Sequence, residues 1–151
     1  MHATALRAPA PRSPVTLPVL NGAAPILCLR GHVDARSPED KRFVYQILDH
    51  VQALYPDVSL LASRCIGHDS FAHSWARENG VSITCPRPKQ PPASRGHQDE
   101  LNDLMLDQKP DLVIVIARSK SPVLRFDTLP YGPCLTMIDK CRARRLTLVQ
   151  A

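Results

Sequence analysis

The chain has 151 residues, 44% of them hydrophobic and 22% charged, which suits one globular domain with a buried core. No apolar run approaches the roughly 18–20 residues of a membrane span, so no membrane partner is expected. The net charge of +5 permits an anionic partner without naming one, and five cysteines without a CxxC or a short pairing argue against a disulfide framework and fit a reducing cytoplasm.

Residues 1–24 carry Arg7, Arg12 and several prolines but no acid and no unbroken apolar block. They read as a flexible Pro-rich tail rather than a secretory leader, with the domain running over 25–151. "PILCL" (25–29) predicts a first strand. "SPEDKRFVYQILDHVQALYP" predicts a helix: Ser37 is a good N-cap, Pro38 suits the first helical position, and Asp40 stands three after the cap. Phe43, Val44, Ile47, Leu48, Val51 and Leu54 recur at helical spacing, and Pro56 closes the segment. "VSLLAS" (58–63) predicts the second strand. Phe71, Ala72, Trp75 and Ala76 mark a second helix, with Asn79-Gly80 as its C-terminal signal.

"VSITC" (81–85) predicts a third strand, and the four prolines of "PRPKQPPASRG" predict a long surface loop. Leu101, Leu104 and Met105 suggest a third, weaker helix up to Gln108. "DLVIVI" (111–116) is apolar on both alternations, as in a strand buried on both faces. A basic, proline-bearing loop follows. A fourth helix is expected over about 133–144, with Leu135, Ile138 and Cys141 on one side, and "LTLVQ" closes as a fifth strand. The basic cluster "KCRARR" (140–145) falls late in that helix, where cations favour the dipole.

Repeated strand–helix alternation implies an α/β domain, with helices on both faces of a mainly parallel sheet of about five strands. Ligands bind such sheets beyond the carboxyl ends of the strands. The loops there hold Arg30, Gly31, His32 and Asp34 after the first strand, and Arg64, Gly67, His68 and Asp69 after the second. Arg118 and Ser119 follow the fourth strand, and Gly132 precedes the last helix. Glycines permit close backbone approach, and arginines pair with phosphate, so the set suits an anionic small molecule such as a nucleotide. Neither GxGxxG nor GxxxxGK[ST] occurs.

The order of these turns from Ile26 to Val149 resembles the SLOG (Smf/DprA–LOG) superfamily. Its YspA/YpsA-related branch, spread through bacteria and phages, is the most similar. That branch shows G-x-R-D after strand one, where "GHVD" keeps Gly31 and Asp34 with Val33 for the arginine. It shows H-G-G-x-x-G-A-D after strand two, where "SRCIGHD" keeps Gly67 and Asp69. An R-N-x-x-M helix is echoed by Asn102 and Met105, with Leu101 for the arginine. The G-T turn stands as Gly132-Pro133. The resemblance implies a Rossmann-like three-layer sandwich, a nucleotide-derived ligand and a role for Asn102 in the site. The LOG branch cleaves N-glycosidic bonds with P-G-G-x-G-T-x-x-E, whereas "YGPCLTM" has no glutamate at that spacing, so that activity is not expected.

The leading expectation is therefore a sensor or sequestering protein for a nucleotide-like ligand, without cofactor or metal. A nucleotide hydrolase would use Asp34 or Asp69 with His32 or His68. A zinc site from Cys28, His32, Cys65, His68 and Cys85 lacks the usual ligand spacing. Single-stranded DNA binding, as in the Smf/DprA branch, suits the basic charge but not the 5% aromatic content. Apolar patches on the helices would support a homo-oligomer.

Overall fold

The computed structural model describes residues 15–33, 35–91, 94–116 and 133–151. Among these, five strands and four helices alternate along the chain. They are β1 (Ile26–Gly31), α1 (Pro38–Leu54), β2 (Ser59–Ala62), α2 (His68–Asn79), β3 (Ile83–Thr84), α3 (Arg95–Asp107), β4 (Leu112–Ile116), α4 (Pro133–Ala143) and β5 (Leu148–Gln150). Every pairing is parallel and the order is β3-β2-β1-β4-β5, a Rossmann-like sheet whose direction of growth reverses between β1 and β4.

Alternation along the strands divides the core into two. Leu27, Leu29, Leu60, Leu112, Ile114 and Ile116 face α1 and α2, where Val44, Ile47, Val51 and Trp75 pack on them. Cys28, Leu61, Val113 and Val115 face α3 and α4, where Leu101, Met105, Met137 and Cys141 pack. This explains the continuous apolar run of β4, which is buried at all five positions.

The local signals act as their chemistry requires. Ser37 caps α1, its hydroxyl accepting from Asp40 N–H while the Asp40 side chain accepts from Ser37 N–H, a reciprocal capping box. Gly80 ends α2 in the left-handed conformation. Two expectations shift. The third helix starts at Arg95, because Ser94 caps it by accepting from His97 N–H, so the proline-rich loop is shorter than expected. In α4 the deeply buried set is Cys134, Met137, Ile138 and Cys141, a complete i, i+3, i+4, i+7 stripe that turns Leu135 partly outward.

Residues 15–20, within the segment expected as a tail, lie against the α1–α2 side of the core. Val15, Leu17 and Leu20 pack there, and Leu20 N–H donates to Tyr55 Oη at 2.8 Å. The cations of 140–145 are partly taken up by α3. Lys140 Nζ is 2.9 Å from Asp103 and 3.3 Å from Asp99, and Arg144 pairs with Asp107 at 2.8 Å and Asp103 at 3.2 Å. No described helix is long and apolar enough to cross a membrane.

Candidate functional site

All five strands end at one edge, and the turns after β1 and β2 meet there. Gly31 N–H donates to Asp69 Oδ1 at 2.7 Å, and His32 N–H donates to His68 Nδ1 at 2.8 Å. Both glycines exist for this contact. A Cβ on Gly31 would fall 2.2 Å from the Cβ of His68, and one on Gly67 would fall 2.2 Å from the His32 carbonyl oxygen. Gly67 also holds φ at +101°, a conformation few side chains adopt.

Arg30 runs beneath this junction with no exposure to solvent. Its Nε donates to Asn102 Oδ1 at 2.9 Å, and its Nη1 donates to Ser63 Oγ and to Asp69 Oδ2, both at 3.0 Å. Its Nη2 donates to Gln98 Oε1. Burial opposes the guanidinium charge, and neighbouring Asp69 more than offsets it, holding Arg30 above its ordinary range. Asp69 also accepts from Ser63 N–H and Ser63 Oγ. One buried arginine thus ties β1 to the exit of β2, the start of α2 and one face of α3. Gln98 and Asn102, four residues apart, reach it from the same side of that helix.

His68 is likewise buried. Its Nδ1 accepts from the backbone, so the ring is the Nε2–H tautomer when neutral. That Nε2 has no hydrogen-bond partner and lies 3.9 Å from Asp40 Oδ1. Burial pushes the His68 pKa down to about 4, against the opposing pull of Asp40 and Asp69.

The open space lies beside this network, where β2 and β3 end and α3 begins. A groove of about 480 Å³ is lined by Arg64, Cys65, Cys85, Pro86, Arg87, Pro88, His97, Gln98 and Leu101. That is within the roughly 300–1,000 Å³ of small-molecule sites. Prolines, thiols and Leu101 give it an apolar floor, and Arg64 and Arg87 stand exposed at the rim. Its outer wall is held by α3: Glu100 accepts from the N–H groups of Lys89 at 2.9 Å and Gln90 at 3.0 Å, and His97 Nδ1 lies 3.0 Å from the Gln90 carbonyl.

Of the expected site residues, Arg30, Gly31, His32, Gly67, His68, Asp69 and Asn102 are brought together in the packed junction, and Arg64 lines the groove. Asp34, Arg118, Ser119 and Gly132 lie outside the described residues. Sequence reasoning missed Ser63, Gln98, Arg87 and His97. Ser94, read as an N-cap, would have placed the start of α3 and with it Gln98 and His97. Among the described residues, no group of three or more His, Cys, Asp or Glu side chains is placed to hold a metal ion.

A parallel sheet of this order, with its junction of turns and its groove at the carboxyl edge, defines the class of Rossmann-like α/β domains. Within that class, residues 26–88 match the model of the family described as the YspA, cpYpsA-related SLOG family, and the SLOG resemblance of the sequence is borne out. The fold is also that of DNA processing protein A (DprA) from Streptococcus pneumoniae, a solved structure matched with a TM-score of 0.60 at 16% identity. The match covers 83% of this chain and 50% of that one, so the chain spans half the length of its structural neighbour. No curated protein matches the chain.

Proposed function

We propose that the protein binds a nucleotide or nucleotide-derived small ligand at the carboxyl edge of its sheet, as a sensor or sequestering protein. The observation that carries this reading is the groove at the exits of β2 and β3. Its apolar floor suits a base, and the exposed Arg64 and Arg87 at its rim suit a phosphate. The phosphate-pairing role passes to these two arginines, because the guanidinium of Arg30 is spent on protein acceptors. Gly31 and Gly67 serve the reading indirectly, by letting the two turns close against each other and fix the position of Arg64.

Calorimetric titration with a panel of mono-, di- and cyclic nucleotides tests it. Binding of at least one, weakened about 5- to 50-fold by Arg64→Ala or Arg87→Ala with the fold intact, is the expected result. A panel with no binder, or a binder indifferent to both substitutions, removes the reading.

A second reading, single-stranded nucleic acid, is favoured by one observation: the structural neighbour is named for DNA processing. Anisotropy of a labelled single-stranded oligonucleotide across a salt series separates the two, because a strand held by its backbone shows a steep salt dependence.

A further inference from the structure

Three of the five cysteines are sealed in the core: Cys28, Cys134 and Cys141 have no solvent exposure. Burial pushes the Cys28 thiol far up, and the Cys141 thiol up to about 11, so these sulfurs are inert packing groups. The remaining two, Cys65 and Cys85, are half-buried, and both line the groove at the carboxyl edge. They leave adjacent strands, β2 and β3, and share the space with Arg64, Arg87 and His97.

The two differ in what holds their sulfur. Cys85 donates its own proton to the Pro86 carbonyl at 3.4 Å, and burial raises its pKa against the opposing pull of the Arg64 backbone N–H and the Arg64 charge, which keeps it a thiol. Cys65 accepts from the facing helix: Gln98 Nε2 donates to its Sγ at 3.5 Å. Gln98 is itself fixed through Oε1 by the buried Arg30, so this amide is aimed rather than free. The Cys65 sulfur thus sits in a groove with exposed guanidinium groups at its rim, and those cations select the charge of what reaches it.

We infer that Cys65 is a site of thiol–disulfide exchange with small anionic disulfides. In the exchange the Cys65 sulfur attacks one sulfur of the incoming disulfide. A new S–S bond forms to the protein, the old one breaks, and the other half departs with the electron pair and takes up the proton that Cys65 lost. The disulfide is the oxidant and is reduced to one equivalent of thiol. The anionic half left on Cys65 lies against Arg64 and Arg87 and fills the groove. The inference goes beyond the nucleotide reading, since it stands on the thiols and the rim charges whichever ligand the groove takes.

The test uses the full chain and two probes of opposite charge, oxidised glutathione and cystamine. Each rate is divided by that of the same disulfide with free 2-mercaptoethanol. Peptide mapping by mass spectrometry is expected to place a single glutathionyl adduct on Cys65, absent in Cys65→Ser and retained in Cys85→Ser. The normalised rate is expected to favour the anionic disulfide by about tenfold or more. That preference should collapse at high salt, and in Arg64→Gln/Arg87→Gln, whose replaced side chains are exposed. An adduct carried mainly by Cys85 or a core cysteine, or cystamine reacting as fast as glutathione disulfide, would overturn it.

Discussion

Arg30 Nη1 lies 3.0 Å from Asp69 Oδ2, and both side chains are sealed from water. The pair joins the two turns that the sequence offers as separate binding loops, and it converts their charges into an internal fastening. Asp69 further accepts from Gly31 and Ser63 N–H and from Ser63 Oγ, so its removal strands several buried donors together.

Asp69→Ala is therefore expected to cost about 3–5 kcal/mol, the range for breaking one side of a buried pair. Urea unfolding measures it. Arg30→Met combined with Asp69→Asn should lose clearly less than the sum of the two single variants, since the charges are lost together. Additivity within about 0.5 kcal/mol would show that the two side chains do not act as a unit.

The glycines differ in kind. Gly80 has φ of +65° and open space around its missing Cβ, so Gly80→Ala should cost only backbone strain, about 1 kcal/mol. At Gly67 the strain is joined by a clash with the His32 carbonyl, which is backbone and cannot yield without moving β1's exit. Gly67→Ala is expected to cost at least about 2 kcal/mol more than Gly80→Ala. Equal melting shifts for the two variants would contradict the close approach of the turns.

Much of this architecture was legible in the residues. Ser37, Pro38 and Asp40 announce the start of α1, and the two-sided apolar run of β4 announces a strand covered on both faces. The candidate site was legible in its location but not in its roles. Arg30 and Arg64 both follow or end a strand and look alike in sequence. What separates them is the depth of the side chain: Arg30 ends inward at the alternation that meets α3, whereas Arg64 stands one residue past buried Ser63 and exposed. That distinction depends on Gln98 and Asn102, which come from a helix dozens of residues away. No local pattern encodes such an encounter. His73 of α2 is likewise set by a distant partner: it is half-buried, with Nε2 3.1 Å from the Ala62 carbonyl at the exit of β2.

His68 gives a pH prediction. Its folded pKa, about 4, lies below the roughly 6.5 of an unfolded histidine, so the unfolded chain binds the proton first. Its contribution is unaffected above about pH 6.5 and is lost as pH falls from there toward 4, by roughly 1–3 kcal/mol in all. In His68→Asn the amide oxygen takes the place of Nδ1 as acceptor for His32 N–H, and nothing titrates there. The difference in stability between the two proteins should shrink or reverse between pH 7 and pH 4.5 in favour of the variant. A difference independent of pH would show that His68 is not held neutral by burial.

The wall of the groove supplies the last prediction. Lys89 and Gln90 offer adjacent backbone N–H groups, and the Glu100 carboxylate of α3 accepts both. Those bonds, first from Lys89 and then from Gln90, hold the Glu100 carboxyl below its ordinary range. The clamp is therefore complete above the usual carboxylate pKa and is lost as pH falls through the lowered folded value. Glu100→Ala removes the acceptor without touching either core. Hydrogen exchange should show faster exchange at the Lys89 and Gln90 amides, while the protection of β1 and β4 stays as it was. Any ligand of the groove should bind Glu100→Ala more weakly, because the wall must then be ordered at the moment of binding. Unchanged exchange at those two amides would mean that the prolines of 86–88 hold the wall by themselves.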